Sequence, residues 1–289
     1  MRYNVIIINP FGFEHTQIFL ELGQLVYYSL AELSYEVTLS FSHLASDIPN
    51  SEATICGNEG INILLGAHLL EIGWLSILPK SSIILNTEQI SAHPDTEKII
   101  EFARRFETWD YSLRNIENFR ERGINGIKHL RLGYQKELNR IVRAPDQDID
   151  VLFYGSIAPG DRREVILNAL RSNGLIVHRA FGLYGAERDQ IIARSKVVIN
   201  IHFYDTHIFE SIRVFYLLTN SIPVVGEVNE STIIDPIMKE GIVASPYEKL
   251  VQSCVELVQN SDLRESVSIL AYKSIAQFPQ IEFTASVLQ

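Results

Sequence analysis

Short, nearly unbroken apolar runs alternate along this chain with longer stretches in which apolar side chains recur every three or four positions. Residues 4–9 (NVIIIN) form the first run, with the continuous hydrophobicity of a strand covered on both faces, and residues 16–33 follow with helical spacing. The pattern predicts further strands at 36–41, 61–65, 82–85 and 107–109, helices at 96–106 and 113–122, and a closing strand near 128–132. Residues 133–150 (GYQKELNRIVRAPDQDID) are polar and end in a Pro-Asp-Gln-Asp cluster, a linker signature. After it the alternation restarts. Strands are predicted at 151–154, 175–180, 197–201 and 222–226, with helices at 162–172, 187–194 and 208–219. A shorter repeat follows, with a strand at 241–244 and helices at 248–259 and 263–277. The expected fold is therefore α/β, with two Rossmann-like doubly wound domains, residues 1–147 and 148–289, facing each other across a cleft.

Composition narrows the partners. With 289 residues, 46% hydrophobic and 21% charged, the chain has material for two cores. A net charge of -10 argues against a nucleic-acid or anionic-membrane surface, which needs a basic face. No apolar run approaches the roughly 18 residues of a membrane span, and the first residues read as a strand rather than a signal peptide. Cys56 and Cys254 are the only cysteines, and neither disulfides nor a structural zinc spacing is expected, which suits a reducing cytoplasm.

The chemistry gathers at strand ends. Residues 200–227 (NIHFYDTHIFESIRVFYLLTNSIPVVGE) place His202 at the end of one predicted strand and Glu210 and Arg213 in the first turn of the next helix. Free amides and the positive helix end favour an anion there, a guanidinium can bind phosphate, and a carboxylate can accept hydrogen bonds from a sugar diol. The plainer reading is that Glu210 complements the helix dipole, Arg213 pairs with it, and His202 bonds a neighbouring carbonyl. FYGS (153–156) puts Gly155 and Ser156 after another strand, where backbone can approach a ligand. Arg162 and Arg163 begin the following helix, as diphosphate ligands or as a solvated helix start. FGLYG (181–185) forms either a base-holding loop around Tyr184 or a glycine-rich turn. Neither GxGxxG nor GxxxxGK[ST] occurs, which counts against NAD enzymes and P-loop phosphotransferases.

Several segments together carry a family likeness: DVLFYGS (150–156), FGLYGAERD (181–189), KVVINIHF (196–203) and FESIRVFYLLTNSIPVVGE (209–227), with NTEQ (86–89), WDYSLRN (109–115) and LGY (132–134) in the first half. They resemble GT-B glycosyltransferases, in the bacterial and viral group related to spore-maturation-protein-like glycosyltransferases. The resemblance is strong after Asp150 and weak before Ser82. It implies transfer of a sugar from a nucleoside diphosphate sugar, with Glu210 on the donor ribose, Arg213 and the Gly155–Ser156 loop on the diphosphate, and Tyr184 near the base. Retaining members often carry two glutamates separated by seven residues. Here the second matches Glu210, while the first position is His202.

Charge on a departing diphosphate can be met by amides, a helix end and arginines, so transfer is expected to need neither metal nor cofactor. The acceptor's proton goes to a protein base or to the leaving phosphate. Candidate catalytic residues are His15, Glu88 and His202; Gly12 is a position where backbone can approach the diphosphate. Each has a plainer alternative: Glu88 can anchor a turn and His15 can cap a helix. His202, Asp205 and His207 form a weaker metal-binding alternative. A nucleotide-sugar epimerase or hydrolase, or a non-catalytic nucleotide-sugar-binding subunit, would share these features.

Overall fold

The computed structural model describes residues 1–42, 59–90, 93–157, 161–204 and 208–289. Cys56, Asp205 and His207, and with the last two the alternative metal set, lie outside the described residues. The chain forms two compact units, one of residues 1–132 and 280–289, the other of residues 133–279.

In the first unit β1 (Arg2–Ile8), β2 (Glu36–Ser42), β3 (Ile61–Leu65), β4 (Ile83–Asn86), β5 (Glu107–Asp110) and β6 (Lys128–His129) form one parallel sheet in the order β2-β1-β3-β4-β5-β6. The apolar run of β1 is buried from Asn4 to Ile8 because helices cover both sheet faces. Those helices are α1 (Leu20–Glu32), α2 (Thr96–Arg105) and α3 (Leu113–Glu121), the last capped by the Ser112 hydroxyl, which accepts from the Asn115 amide. One core packs Ile6, Ile8, Leu64, Trp74, Phe102 and Phe106. Both Trp74 and Trp109 are core residues.

The second unit carries β7 (Ile149–Tyr154), β8 (Val177–Ala180), β9 (Ser195–Asn200), β10 (Val224–Glu227) and β11 (Val243–Ser245) in the order β11-β10-β9-β7-β8, again all parallel. Its helices are α4 (Arg162–Ser172), α5 (Gly185–Ala193), α6 (Ser211–Thr219), α7 (Pro236–Glu240), α8 (Leu250–Gln259) and α9 (Ser261–Ala276). Helix α4 starts at Asp161, whose carboxylate accepts from the Arg163 amide. Val151, Phe153, Ile166, Leu170, Val197 and Ile199 lie in its core. The strand order reverses between β7 and β9. Successive crossovers leave in opposite directions there, opening a crevice at the carboxyl ends of the two strands.

Two boundaries differ from the sequence expectation. The units divide between Leu132 and Gly133, fifteen residues before the expected break between Gln147 and Asp148. The polar segment is not a free linker, because the Asn220 side chain captures it: its Oδ1 accepts from the amides of Arg140 and Ile141, both at 2.7 Å, and its Nδ2 donates to the Leu138 carbonyl at 2.9 Å. The chain then returns to the first unit through α10 (Gln280–Val287), an unexpected short helix. There Thr284 Oγ1 lies 2.7 Å from Ser29 Oγ on α1, Lys128 Nζ donates to the Val287 carbonyl at 2.8 Å, and the Arg131 guanidinium lies over the Phe283 ring. Among the described residues no helix is long and apolar enough to cross a membrane.

Removing residues 280–289 strips an apolar cover and buried hydrogen bonds from α1. The truncated chain is expected to lose about 3 kcal/mol of first-unit stability. Hydrogen exchange should show weakened amide protection in α1 and β1, with β7 and β9 of the second unit unchanged. Equal loss in both units would contradict this assignment of α10.

Candidate functional site

In the second unit, functional side chains converge on the carboxyl ends of β7, β9 and β10. Arg163 is the tie among them. Its guanidinium is almost wholly buried and donates from Nε and Nη2 to the Ile201 carbonyl at 3.0 and 2.7 Å, from Nη1 to the Ser156 carbonyl at 2.9 Å, and from Nη2 to Glu210 Oε1 at 2.9 Å. Burial lowers its pKa to about 10, with Glu210 opposing that fall and Arg213 adding to it. The ring faces of Phe153 and Phe203 lie 5.1 and 4.8 Å from its central carbon. The sequence expectation made Arg163 a diphosphate ligand. The structure directs its donors to the protein instead, where they set the strand-end loops and one oxygen of Glu210.

Glu210 stands at the cap position of α6, and its side chain makes no capping bond. Arg163 draws it away. Of the first-turn amides of α6, those of Ser211 and Arg213 donate to the Phe209 and Glu210 carbonyls at 2.8 and 3.0 Å, so it is the Ile212 amide and the positive helix end that suit an incoming anion. Glu210 Oε2 is buried, lies 3.8 Å from His202 Nδ1, and has no hydrogen-bond partner among the described residues. The plainer sequence reading, with Arg213 paired to Glu210, is replaced by another bond: Arg213 Nη1 donates to Asn200 Oδ1 at 2.6 Å. Its guanidinium lies over the Phe153 and Tyr154 rings and against Gly155, where a Cβ would meet Nη2 at 3.0 Å. Gly155 also has φ +144°, a backbone conformation that favours glycine.

His202 is buried, with Nδ1 3.1 Å from the Ile208 carbonyl, as the plainer reading expects. Its backbone belongs to a second ion-pair network. Arg162 Nη1 and Nη2 donate to the two oxygens of Glu227 at 2.5 and 2.6 Å, while Glu227 Oε2 also accepts from the His202 amide at 3.0 Å and Oε1 from Asn229 at 2.9 Å. Burial opposes ionisation of Glu227, but the bonds from Arg162, the field of His202 and the bond from Asn229 outweigh it and hold its pKa below the ordinary value. Ser156 is exposed, and Tyr184 is half-buried at the cap position of α5.

The first-unit candidates also lie beyond strand ends. Gly12, exposed with φ +70°, and half-buried His15 follow β1. Glu88 follows β4, with Oε1 3.6 Å from His68 Nε2 and Oε2 3.5 Å from His93 Nε2. Beneath it, buried Asp110 accepts from Asn86 Nδ2 at 2.7 Å, from the Ser112 amide at 2.7 Å, and from Asn115 Nδ2 at 3.2 and 3.1 Å to its two oxygens. Burial raises the Asp110 carboxyl to about 7 against these donors. Sequence reasoning missed Asn200 and Glu227, which orient Arg213 and Arg162, and it missed the two histidines beside Glu88. Glu227 ends a VVGE run that reads as the start of a turn. Only strand adjacency brings His68 to Glu88.

Solved structures place this geometry in a known architecture. The chain aligns over 99% of its length with 98% of WaaG, a glycosyltransferase involved in lipopolysaccharide biosynthesis, at TM-score 0.61 and 10% identity. It aligns as completely with T4 phage β-glucosyltransferase in complex with its UDP-glucose substrate, at TM-score 0.58 and 11% identity. The chain has the GT-B fold. TarM matches 79% of this chain over 53% of its own, at TM-score 0.52 and 12% identity. No protein-family profile matches the chain. By sequence it is 30% identical over 209 residues to an uncharacterized protein of Acanthamoeba polyphaga mimivirus, covering 68% of this chain and 66% of that one. A second uncharacterized mimivirus protein is 29% identical over 192 residues, covering 63% of this chain and 25% of its own length. The chain thus spans just under two thirds of the first relative and a quarter of the second.

Asp110 generates a pH signature. An unfolded aspartate titrates at about 3.9, so between there and about 7 the folded chain keeps a proton that the unfolded chain has released. That stabilising contribution is full below pH 4 and is lost as pH rises through 7, a change on the order of a few kcal/mol. Denaturant unfolding from pH 4 to 8 should show the decline, and Asp110→Asn should flatten it whatever its effect on absolute stability. An unchanged slope in the variant would show that another group titrates.

Proposed function

We propose that this chain transfers a glycosyl group from a nucleoside diphosphate sugar, holding the nucleotide at the β7, β9 and β10 strand ends of the second unit. The carrying observation is Glu210: one carboxylate oxygen is fixed by buried Arg163, while the other has no hydrogen-bond partner among the described residues, beside an α6 end without a side-chain cap. A carboxylate held on one oxygen keeps the acceptor capacity of the other for a ribose diol, and the adjacent helix start takes phosphate. The position at the strand-order reversal, where open α/β sheets bind ligands, supports the same reading. UDP-glucose, the substrate of the T4 phage enzyme, is the first donor to test.

In this reading Arg213 and the Ser156 amide stabilise the charge that develops on the diphosphate as it leaves, while the Gly155 amide holds the loop to the Ala180 carbonyl at 3.1 Å, so no ion is required at the phosphates. Arg213 is prepared for that role because Asn200 engages only one end of its guanidinium and the Tyr154 ring supports its flat face. The departing phosphate, held by these groups, takes the acceptor hydroxyl's proton. Tyr184 and the FGLYG loop meet the base. His202 holds the turn before α6 through its ring and backbone bonds.

Calorimetric titration with UDP, GDP, ADP and their sugars tests the donor site. Glu210→Gln and Arg213→Ala are each expected to weaken the preferred nucleotide about tenfold or more, equivalent to at least ~1.4 kcal/mol. Arg213→Ala should melt near the parent, while Glu210→Gln, which leaves buried Arg163 without its counter-charge, should melt lower yet remain folded. Parent-like nucleotide affinity in both variants would refute the assignment. Turnover with the tight-binding sugar nucleotide separates the chemistries: a transferase releases diphosphate in step with glycosylated acceptor, an epimerase alters the sugar without acceptor, and a binding subunit does neither.

A further inference from the structure

We propose that His68, Glu88 and His93 of the first unit form a binding site for one divalent cation of the zinc class, independent of the second-unit nucleotide site. Each offers one ligand atom, and these three atoms lie within 4.8 Å of one another. The 3.6 Å and 3.5 Å separations between the histidine nitrogens and the Glu88 oxygens are long for hydrogen bonds. With one Glu88 oxygen as ligand, one of these separations is an edge near the roughly 3.3 Å of a tetrahedron built from bonds of about 2.0–2.1 Å, and the remaining ligand atom stays within 4.8 Å. Two imidazoles and one carboxylate with a fourth position left for water or another oxygen ligand are a recognised zinc donor set.

The surroundings hold the ligands in place. The Glu88 carbonyl accepts from Asn86 Nδ2 at 2.9 Å and from Asn115 Nδ2 at 2.8 Å, and Thr87 Oγ1 donates to Glu88 Oε1 at 3.1 Å. Asn115 Oδ1 accepts from the Ile90 amide at 2.9 Å, so the segment that follows β4 is pinned to α3. His68 lies just past β3 and lines a cavity with Asn86, Thr87, Ile84, Ile99 and Phe102. Burial lowers the His68 pKa and favours the neutral ring that a cation needs, against the nearby Glu88 charge.

His93 supplies the most specific consequence. Its Nδ1 accepts from the Asp95 amide at 3.1 Å, which places the neutral ring's proton on Nε2, facing Glu88. Coordination through Nε2 moves the ring proton to Nδ1, so the Asp95 amide must turn away and the Asp95 Oδ2 carboxylate oxygen, 3.9 Å from Nδ1, must close to hydrogen-bond distance. A carboxylate behind a metal-bound histidine fixes its tautomer and raises its basicity. Asp95 is thus a positioning residue for His93, and Glu88 takes a ligand's role in place of the proton acceptor expected from the sequence.

Cobalt(II) titration of the metal-stripped full chain reads the site directly, because tetrahedral cobalt absorbs strongly in the visible. The expected result is saturation at one equivalent, bleaching when zinc(II) is added, and about tenfold or greater weakening in each of Glu88→Gln, His93→Gln and Asp95→Asn. Circular dichroism and melting of the metal-free variants check that they remain folded. Should Glu88→Gln fail to fold, His93→Gln and Asp95→Asn decide the matter. Absence of saturable binding, or binding in the folded variants as tight as in the parent, overturns the proposal. Nucleotide titration on the same preparations keeps the two sites separable, since failure here leaves nucleotide affinity untouched.

Discussion

The buried guanidinium of Arg163 is the constraint on which the strand-end site depends. A charge removed from water must have its donors satisfied, and each acceptor it takes here belongs to a different part of the site: the loop after β7, the end of β9 and the residue before α6. Arg163 thereby converts its need for partners into a fixed geometry. Losing it would leave half-buried Glu210 without its cation and two carbonyls without donors, a far larger disturbance than losing an exposed arginine. Aromatic faces of Phe153 and Phe203 complete the cage without competing for its hydrogen bonds.

The neighbouring Arg162–Glu227 pair applies the same principle with different reach. Its two parallel bonds join the start of α4 to the end of β10, while the His202 amide and Asn229 use the remaining capacity of the carboxylate. Tyr247 adds a third anchor, its ring under the Arg162 guanidinium and its hydroxyl donating to the Arg162 carbonyl at 2.8 Å. Consecutive arginines thus face different acceptors and brace adjacent loops. Arg213 stands apart, its Nη1 donating to Asn200 and aromatic rings supporting its guanidinium.

Most strands and the longer helices were legible because a parallel sheet covered on both faces writes unbroken apolar runs, as in NVIII of β1 and DVLF of β7. The division between units was harder to read. Polarity from Gln135 to Asp148 resembles a linker, but Asn220, distant in sequence, secures residues 138–141 to the second unit. At the site, Glu210 and Arg213 stood out by their place at a helix start. Whether Arg163 faced solvent or interior was not legible, since both orientations occupy the first turn of a helix. The Glu88 pair of histidines escaped notice for a related reason: loop residues 68, 88 and 93 are brought together by the pairing of β3 with β4, a relation absent from local periodicity.

The return of α10 to the first unit makes the second an insertion in the topology of the first. A ribosome delivers β1 through β6 well before the helix that lies against α1, with some 147 residues of Gly133–Pro279 emerging in between. Domains begin folding as they leave the ribosome. The first sheet must therefore wait with the α1 surface around Ser29 uncovered, and its final seal forms only when synthesis of the inserted unit is over.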